Sequence, residues 1–329
     1  MNKRIFKADI LLLLTAAIWG FGFVAQRYGM LYVGPFTYNG TRFILASLSL
    51  LPLIAARKQA SPIKLKSPLF LSCLLAGTCV FIAVSIQQLG IMATTAGNAG
   101  FITGLYVIFT PILGIFLGRK TGKTTWLGAF LMLTGLYFLS TQGPFERINP
   151  GDIIIAISAV FWAFHVLIID RLVQKIDPLV ISAGQFAVTG FLSLAAAFLI
   201  EPSLSAWLET SGRDFLLEGL FTWISLPALI NGLNTGTVPG SLIASALVPI
   251  LYGGLVSASI GYTLQVIAQR DAPPAHTTII LCLEGSFAAL GGILILSEPV
   301  GSRIIIGFTL ALTGMLVSQW GLIGIRRKE

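Results

Sequence analysis

Long apolar runs separated by short polar breaks fill this chain almost from end to end. A bilayer core of about 30 Å takes ~20 mostly apolar residues in helical form. Ten segments meet that demand, some of them short: 8–28, 35–56, 68–89, 96–118, 124–141, 152–170, 179–200, 242–268, 275–296 and 303–322. Most connections are brief, which predicts antiparallel neighbours lying side by side. The expected fold class is an all-α integral membrane protein of ten transmembrane helices.

The pattern runs twice. Moved back by 143 positions, Asp152 falls on Asp9, Ile153 on Ile10, Ala159 on Ala16 and Trp162 on Trp19. The same shift brings Phe164 to Phe21, Pro178 to Pro35 and Phe186 to Phe43 without a gap. Later, Gly128, Leu131, Leu133, Thr134 and Gly135 match Gly307, Leu310, Leu312, Thr313 and Gly314. An internal repeat governs the architecture, so the chain reads as two related five-helix halves, 1–143 and 144–329. The second carries an insertion at 202–240, where Trp207, Phe215 and Trp223 suggest contact with a membrane surface. Five is odd, so the second half enters the bilayer from the opposite side. The repeat is then inverted, as is typical of secondary transporters.

Composition and charge narrow this further. Apolar residues make up 55% of the 329 and charged ones 10%, against ~25% charged in soluble domains. Mean hydropathy is +0.88. The net charge of +8 does not point to nucleic acid, because the basic residues form short clusters between apolar runs rather than a basic domain. They report orientation instead. Sixteen fall in segments on one side, Arg27, Arg147, Arg213 and Arg303 on the other, and Arg42 within a span, which accounts for all 21. Both termini are expected in the cytoplasm, at the cytoplasmic membrane, and residues 8–28 are expected to be a retained span rather than a cleaved signal.

Cys73, Cys79 and Cys282 lie within apolar runs with neither disulfide nor zinc spacing, and His165 and His276 are the only histidines. No metal or other cofactor is expected. Catalysis finds little support: there is no Gly-rich phosphate loop, no GxSxG and no soluble nucleotide domain. A membrane enzyme on a lipid-linked substrate and a non-transporting scaffold remain as readings of a different class.

The chain resembles the EamA-type branch of the drug/metabolite transporter superfamily over nearly all its length. The marks are Asp9 to Trp19-Gly20, Pro35 to Arg42-Phe43, Gln87-Gln88-Leu89-Gly90, and Thr94-Thr95-Ala96-Gly97 through Gly100-Phe101-Ile102 to Pro111. They continue with Trp162, Tyr262-Thr263-Leu264-Gln265, Gln269, Glu284 and Glu298-Pro299. The resemblance implies two inverted five-helix units around a central cavity lined by spans one, three, four, six, eight and nine. It also implies a small metabolite, amino acid-like or an amphipathic drug, moved by alternating access and often outward. In one respect the chain departs: Glu284 is followed by Gly285 where the family usually has proline, so Gly285 is expected to supply or soften the kink.

Glu284 stands out among the candidate substrate-binding residues. About ten residues into span nine, it lies ~15 Å deep, where an ionisable group is costly unless it pairs, protonates or meets water. It is expected to bind substrate or carry a coupling proton. Arg42, ~9 Å deep by the same rise, either snorkels to the interface, holds an anionic substrate group or pairs with Glu284. Gln88 and Gln265, aligned at a shift of 177, and Asn98 at the start of span four are the favoured amides. Gln26, Asn39, Gln87, Gln269 and His276 are further polar candidates. Trp19, Trp162 and Tyr262, with Tyr38 and Tyr106, are candidate aromatic walls. Gly128/Gly135 and Gly307/Gly314 predict that spans five and ten pack closely, as scaffold or as a homodimer interface.

Overall fold

The computed structural model describes residues 3–58, 67–118, 121–140, 149–204, 227, 229–231, 240–297 and 301–325. Most of the insertion at 202–240 and the Glu298-Pro299 pair lie outside these. Among the described residues every regular element is helical. In the first half the helices are α1 (Lys3–Gly29), α2 (Pro35–Lys58), α3 (Ser67–Ile91), α4 (Ala96–Thr103), α5 (Tyr106–Phe116) and α6 (Lys123–Ser140). The second half opens with α7 (Pro150–Leu172) and α8 (Pro178–Leu199). After them come α9 (Gly240–Leu251), a π-helical stretch (Tyr252–Tyr262), α10 (Thr263–Ala268), α11 (Pro274–Leu281), α12 (Leu283–Leu296) and α13 (Ser302–Ile325).

Local chemistry sets several starts. Asn149 caps α7, its Oδ1 accepting from the Gly151 N–H at 2.7 Å, with Pro150 at the first helical position. Asp177 and Pro178 repeat the device on α8, at 2.9 Å to the Leu179 N–H. A side-chain acceptor satisfies an orphan N–H, and proline has none to lose.

Eight segments are long and apolar enough to cross a membrane: Arg4–Gly29, Pro35–Ala56, Leu69–Ile91, Ala96–Phe116, Pro150–Leu172, Pro178–Leu199, Ala244–Ala268 and Pro274–Leu296. They coincide with eight of the ten expected spans. The expected fifth and tenth correspond to α6 and α13, which pack against each other, with Gly314 seated on the Gly128 carbonyl. Large apolar side chains such as Phe116 (83% exposed), Leu199 and Phe191 cover the outside, an amount of exposed apolar surface that marks a lipid-facing protein. Polar side chains, Glu284 and Arg42 among them, are buried.

Two of the eight segments are broken. Ala96–Phe116 is interrupted at Gly104–Leu105, between α4 and α5, and Pro274–Leu296 at Cys282, between α11 and α12. The kink expected from Gly285 lies instead two residues before Glu284. Gly285 serves another purpose: a Cβ there would come within 2.6 Å of the Phe101 ring and 3.1 Å of its Cα, so the missing side chain lets α4 and α12 touch.

Contacts also show how the helices run. Along α2 and α8, Thr37 meets Glu201, Gly40 meets Leu194, Ile44 meets Gly190 and Ser47 meets Ala183, so the two are antiparallel. On α6 and α13, Arg303 lies over Phe138 at 5.7 Å while Gly314 meets Gly128, again antiparallel. In contrast α1 runs parallel to the segment α11–α12: Asp9 meets His276, Gly20 meets Phe287 and Phe21 meets Gly291.

Candidate functional site

A cavity lies between the halves, lined by residues of both. Its walls come from the expected spans one, three, four, six, eight and nine, and also from α2 through Arg42. The lining falls largely into repeat-related pairs. Trp19 and Trp162 are 143 apart, as are Phe23 and Val166. Gln87 and Gln265 are 178 apart, as are Thr103 and Leu281, and Tyr106 and Glu284. The breaks at Gly104 and Cys282 share that spacing. Gln26, Arg42, His165, Ser257 and Tyr262 complete the lining without a mate on it.

Glu284 is the eleventh residue of Pro274–Leu296 and 3% exposed. It sits two residues past the break, beside Tyr106, its repeat mate. Neither Tyr106 Oη nor Glu284 Oε1 has a well-formed hydrogen bond. Arg42, also 3% exposed, does not snorkel. Its Nε donates to Asn39 Oδ1 at 3.1 Å, and its guanidinium lies 4.7 Å from the Phe43 ring centre and 5.2 Å from that of Tyr38. Among the described residues no ion pair joins Arg42 to Glu284, although both line the cavity. Tyr262 is within electrostatic reach of both. Its ring touches Trp19 at 4.5 Å, Phe186 at 5.6 Å and Trp162 at 6.0 Å between centroids.

Of the expected site residues, the structure therefore brings together Glu284, Arg42, Gln265, Trp19, Trp162 and Tyr262. It leaves two aside. Gln88 is fully buried with its amide unpartnered, and its neighbour Gln87 lines the cavity, its Nε2 donating to Thr103 Oγ1 at 2.8 Å. Asn98 is half-buried in the first turn of α4, its N–H bound to Thr95 Oγ1. The spacing of 178, set by the helix breaks, selects Gln87, whereas the shift of 177 selects Gln88. Other polar candidates hold lining groups in place: Asn39 anchors Arg42 and Gln269 anchors Gln265. His276 Nε2 meets Asp9 Oδ1 at 2.8 Å, tying α11 to α1. Asp152, the repeat mate of Asp9, makes the corresponding link to Thr94 Oγ1 at 2.6 Å. His165 was not among the residues expected to bind substrate, yet it lines the cavity. Among the described residues no cluster of three or more His, Cys, Asp and Glu could hold a metal.

The model of the EamA-like transporter family matches residues 6–141 and 149–319. An uncharacterized transporter of Archaeoglobus fulgidus is 26% identical over 297 residues, 90% of this chain and 80% of that protein. The uncharacterized transporter YetK of Bacillus subtilis is 25% identical over 73% of this chain and 79% of its own length. The uncharacterized inner membrane transporter YedA of Escherichia coli is 26% identical over 61% and 65% respectively. A crystal structure covering 95% of this chain and 98% of its own superposes with a TM-score of 0.70 at 16% identity, a likeness of fold.

Proposed function

We propose a mechanism from a fixed premise: this chain belongs to the EamA-like transporter family, and it is a membrane transporter. The proposal is that it works as a secondary active transporter or exporter of a small amino acid-like metabolite or amphipathic drug across the cytoplasmic membrane. The observation that carries it is a cavity lined by both Glu284 and Arg42 together with aromatic rings, the two buried ionisable groups making no ion pair with each other. Buried charges are normally paired because an unpaired one is expensive. Two ionisable side chains left without an ion pair on one cavity wall fit a solute that brings its own charges, or a proton.

Transport then follows from an inverted repeat of ten spans, residues 1–143 and 144–329, with both termini cytoplasmic. Support for the inversion comes from the antiparallel runs of α2 on α8 and α6 on α13, since each pair joins repeat-equivalent helices. The halves rock about the cavity and open it to each side in turn. Glu284 exchanges a proton for solute: it is protonated from one face, and substrate binding or return to the other face releases the proton.

The test is uptake into proteoliposomes of radiolabelled amino acids under an imposed pH gradient. Wild-type protein should concentrate at least one of them, and Glu284→Gln should reach the membrane folded yet lose gradient-driven accumulation. Full accumulation by Glu284→Gln would remove the coupling role.

A further inference from the structure

Among the described residues, six polar atoms on the cavity lining make no well-formed hydrogen bond: Gln26 Oε1, Tyr106 Oη, Trp162 Nε1, His165 Nδ1, Gln265 Oε1 and Glu284 Oε1. Buried polar atoms are nearly always satisfied, so those on the wall of a cavity point to what would fill it. Three of the six, on Trp162, His165 and Gln265, come from α7 and α10, in the second half. We propose that these three form a neutral hydrogen-bonding subsite which selects substrate by an uncharged group that both donates and accepts, a hydroxyl or a carboxamide. The inference rests on the reading of the cavity as the substrate site, and it goes beyond the charged poles at Arg42 and Glu284.

What each residue can offer is fixed by what it has already committed. Gln265 Nε2 donates to Gln269 Oε1 at 2.9 Å, and Gln269 Nε2 donates to the Val166 carbonyl at 2.9 Å. The chain of amides points one way, so the atom of Gln265 without a bond is its oxygen, an acceptor. Trp162 has only a donor. Its repeat mate Trp19 spends the same N–H on the Ser257 carbonyl, at 3.1 Å, whereas that of Trp162 is unspent. His165 Nε2 lies 2.9 Å from Gln185 Oε1. With the Gln185 oxygen facing it, Nε2 carries the proton and Nδ1 is a bare acceptor; if the Gln185 amide turns over, Nε2 accepts and Nδ1 becomes a donor. Gln185 Nε2 has no other partner to prevent this.

The subsite therefore shows one fixed donor, one fixed acceptor and one group able to be either. His165 packs edge-on against Trp162 and Tyr262, at 6.0 and 6.1 Å between ring centres, and Gln265, on the same cavity lining, follows Tyr262 by three residues. An alkyl group placed there would bury all three atoms unpaired. A site built to hydrogen-bond rejects the analogue that lacks the bonding group far more strongly than an apolar pocket rejects an extra methylene.

The experiment measures dissociation constants on the purified full chain for two near-isosteric pairs, L-glutamine with L-2-amino-5-methylhexanoic acid and L-homoserine with L-norvaline. Wild type should bind the polar member of each pair at least ten-fold more tightly. Trp162→Phe, which keeps an aromatic wall and removes the N–H, should cut that preference to under three-fold by weakening only the polar member. His165→Leu should do the same, and Trp162→Phe alone decides if His165→Leu does not fold. Equal binding within each wild-type pair, or full discrimination by Trp162→Phe, overturns the subsite while leaving the cavity reading intact. If none of the four binds wild type, or if Arg42→Gln and Glu284→Gln bind all of them as wild type does, the cavity reading itself fails and the subsite with it.

Discussion

Cys282 Sγ donates a hydrogen bond to the Gly104 carbonyl at 3.1 Å, joining the two points at which membrane helices are broken. The two residues hold equivalent places in the repeat, 178 positions apart. Just beyond them stand Tyr106 and Glu284, also 178 apart and side by side on the cavity wall. Breaks in corresponding helices of the two halves mark the binding region of many transporters. The family resemblance makes the cavity expected; the pairing shows where this chain departs from its own symmetry. A phenol faces a carboxyl, and Arg42 in α2 corresponds to Gln185 in α8. The charges are additions to a shared frame, which is why they are the first residues to test.

Arg42→Gln puts in the first half the residue that the second half already has. Because no carboxylate is paired with Arg42 among the described residues, its removal strands no opposite charge, and unfolding temperature should change little. Binding of carboxylate-bearing solutes should weaken at least about ten-fold, the equivalent of ~1.4 kcal/mol. Arg42→Lys should recover part of that, since it keeps the charge but not the planar stacking on Phe43 and Tyr38. Titration of the purified variants with L-glutamine measures both. Unchanged affinity in Arg42→Gln would take this residue out of the site.

Gly20→Ala should act on structure first. A Cβ there would meet Phe287 directly, lie 2.7 Å from the Glu284 carbonyl and 2.9 Å from the Ala288 N. Two of these are backbone atoms, so α1 and α12 must separate. Overpacking of this kind costs about 1–3 kcal/mol. The check is thermal unfolding in detergent, with a lowered midpoint expected.

The sequence shows the membrane class, eight of the described spans and six of the eight favoured site residues, because each has a strong local sign: long apolar runs, a carboxyl or guanidinium in lipid, Trp in a repeated place. The helix breaks have no such sign. Gly104 and Cys282 are not prolines, and the break before Glu284 lies where α11 packs on α5, α12 packs on α4 and Cys282 reaches Gly104. Choosing Gln88 over Gln87 turned on one position of alignment, which only the breaks could settle. His165 sits in an apolar run and acquires meaning from Gln185, twenty residues away on another helix, a contact made by tertiary packing alone.

Thr37→Val tests a link between the halves that lies outside the cavity. Glu201, fully buried, takes the Thr37 N–H at 2.7 Å and its hydroxyl at 2.6 Å, capping the start of α2 from two residues past the end of α8. Valine keeps the shape and the N–H but removes the hydroxyl. The buried carboxylate then lacks one bond, at a cost of about 1–3 kcal/mol. A lowered unfolding midpoint with unchanged solute affinity is the expected result, read by parallel melting and binding measurements.

The inverted repeat has its own direct test at Lys7 and Pro150. These are repeat-equivalent, 143 positions apart, and both are exposed at the start of a helix that crosses the membrane. If the halves are inverted, equivalent positions must face opposite sides of the membrane. The basic residues predict Lys7 in the cytoplasm, and inversion then predicts Pro150 on the outside. Single cysteines at each can be probed in intact cells with a membrane-impermeant maleimide. Cys73, Cys79 and Cys282 are buried and give little background. Pro150→Cys should label at once, and Lys7→Cys only after the cells are opened. Asn149 still caps α7 in the variant, since its bond goes to Gly151, so the helix start survives the change. Labelling of both from one side would mean parallel halves. The antiparallel contacts of α2 with α8 would then need another origin, and rocking about a central cavity would lose its geometric basis.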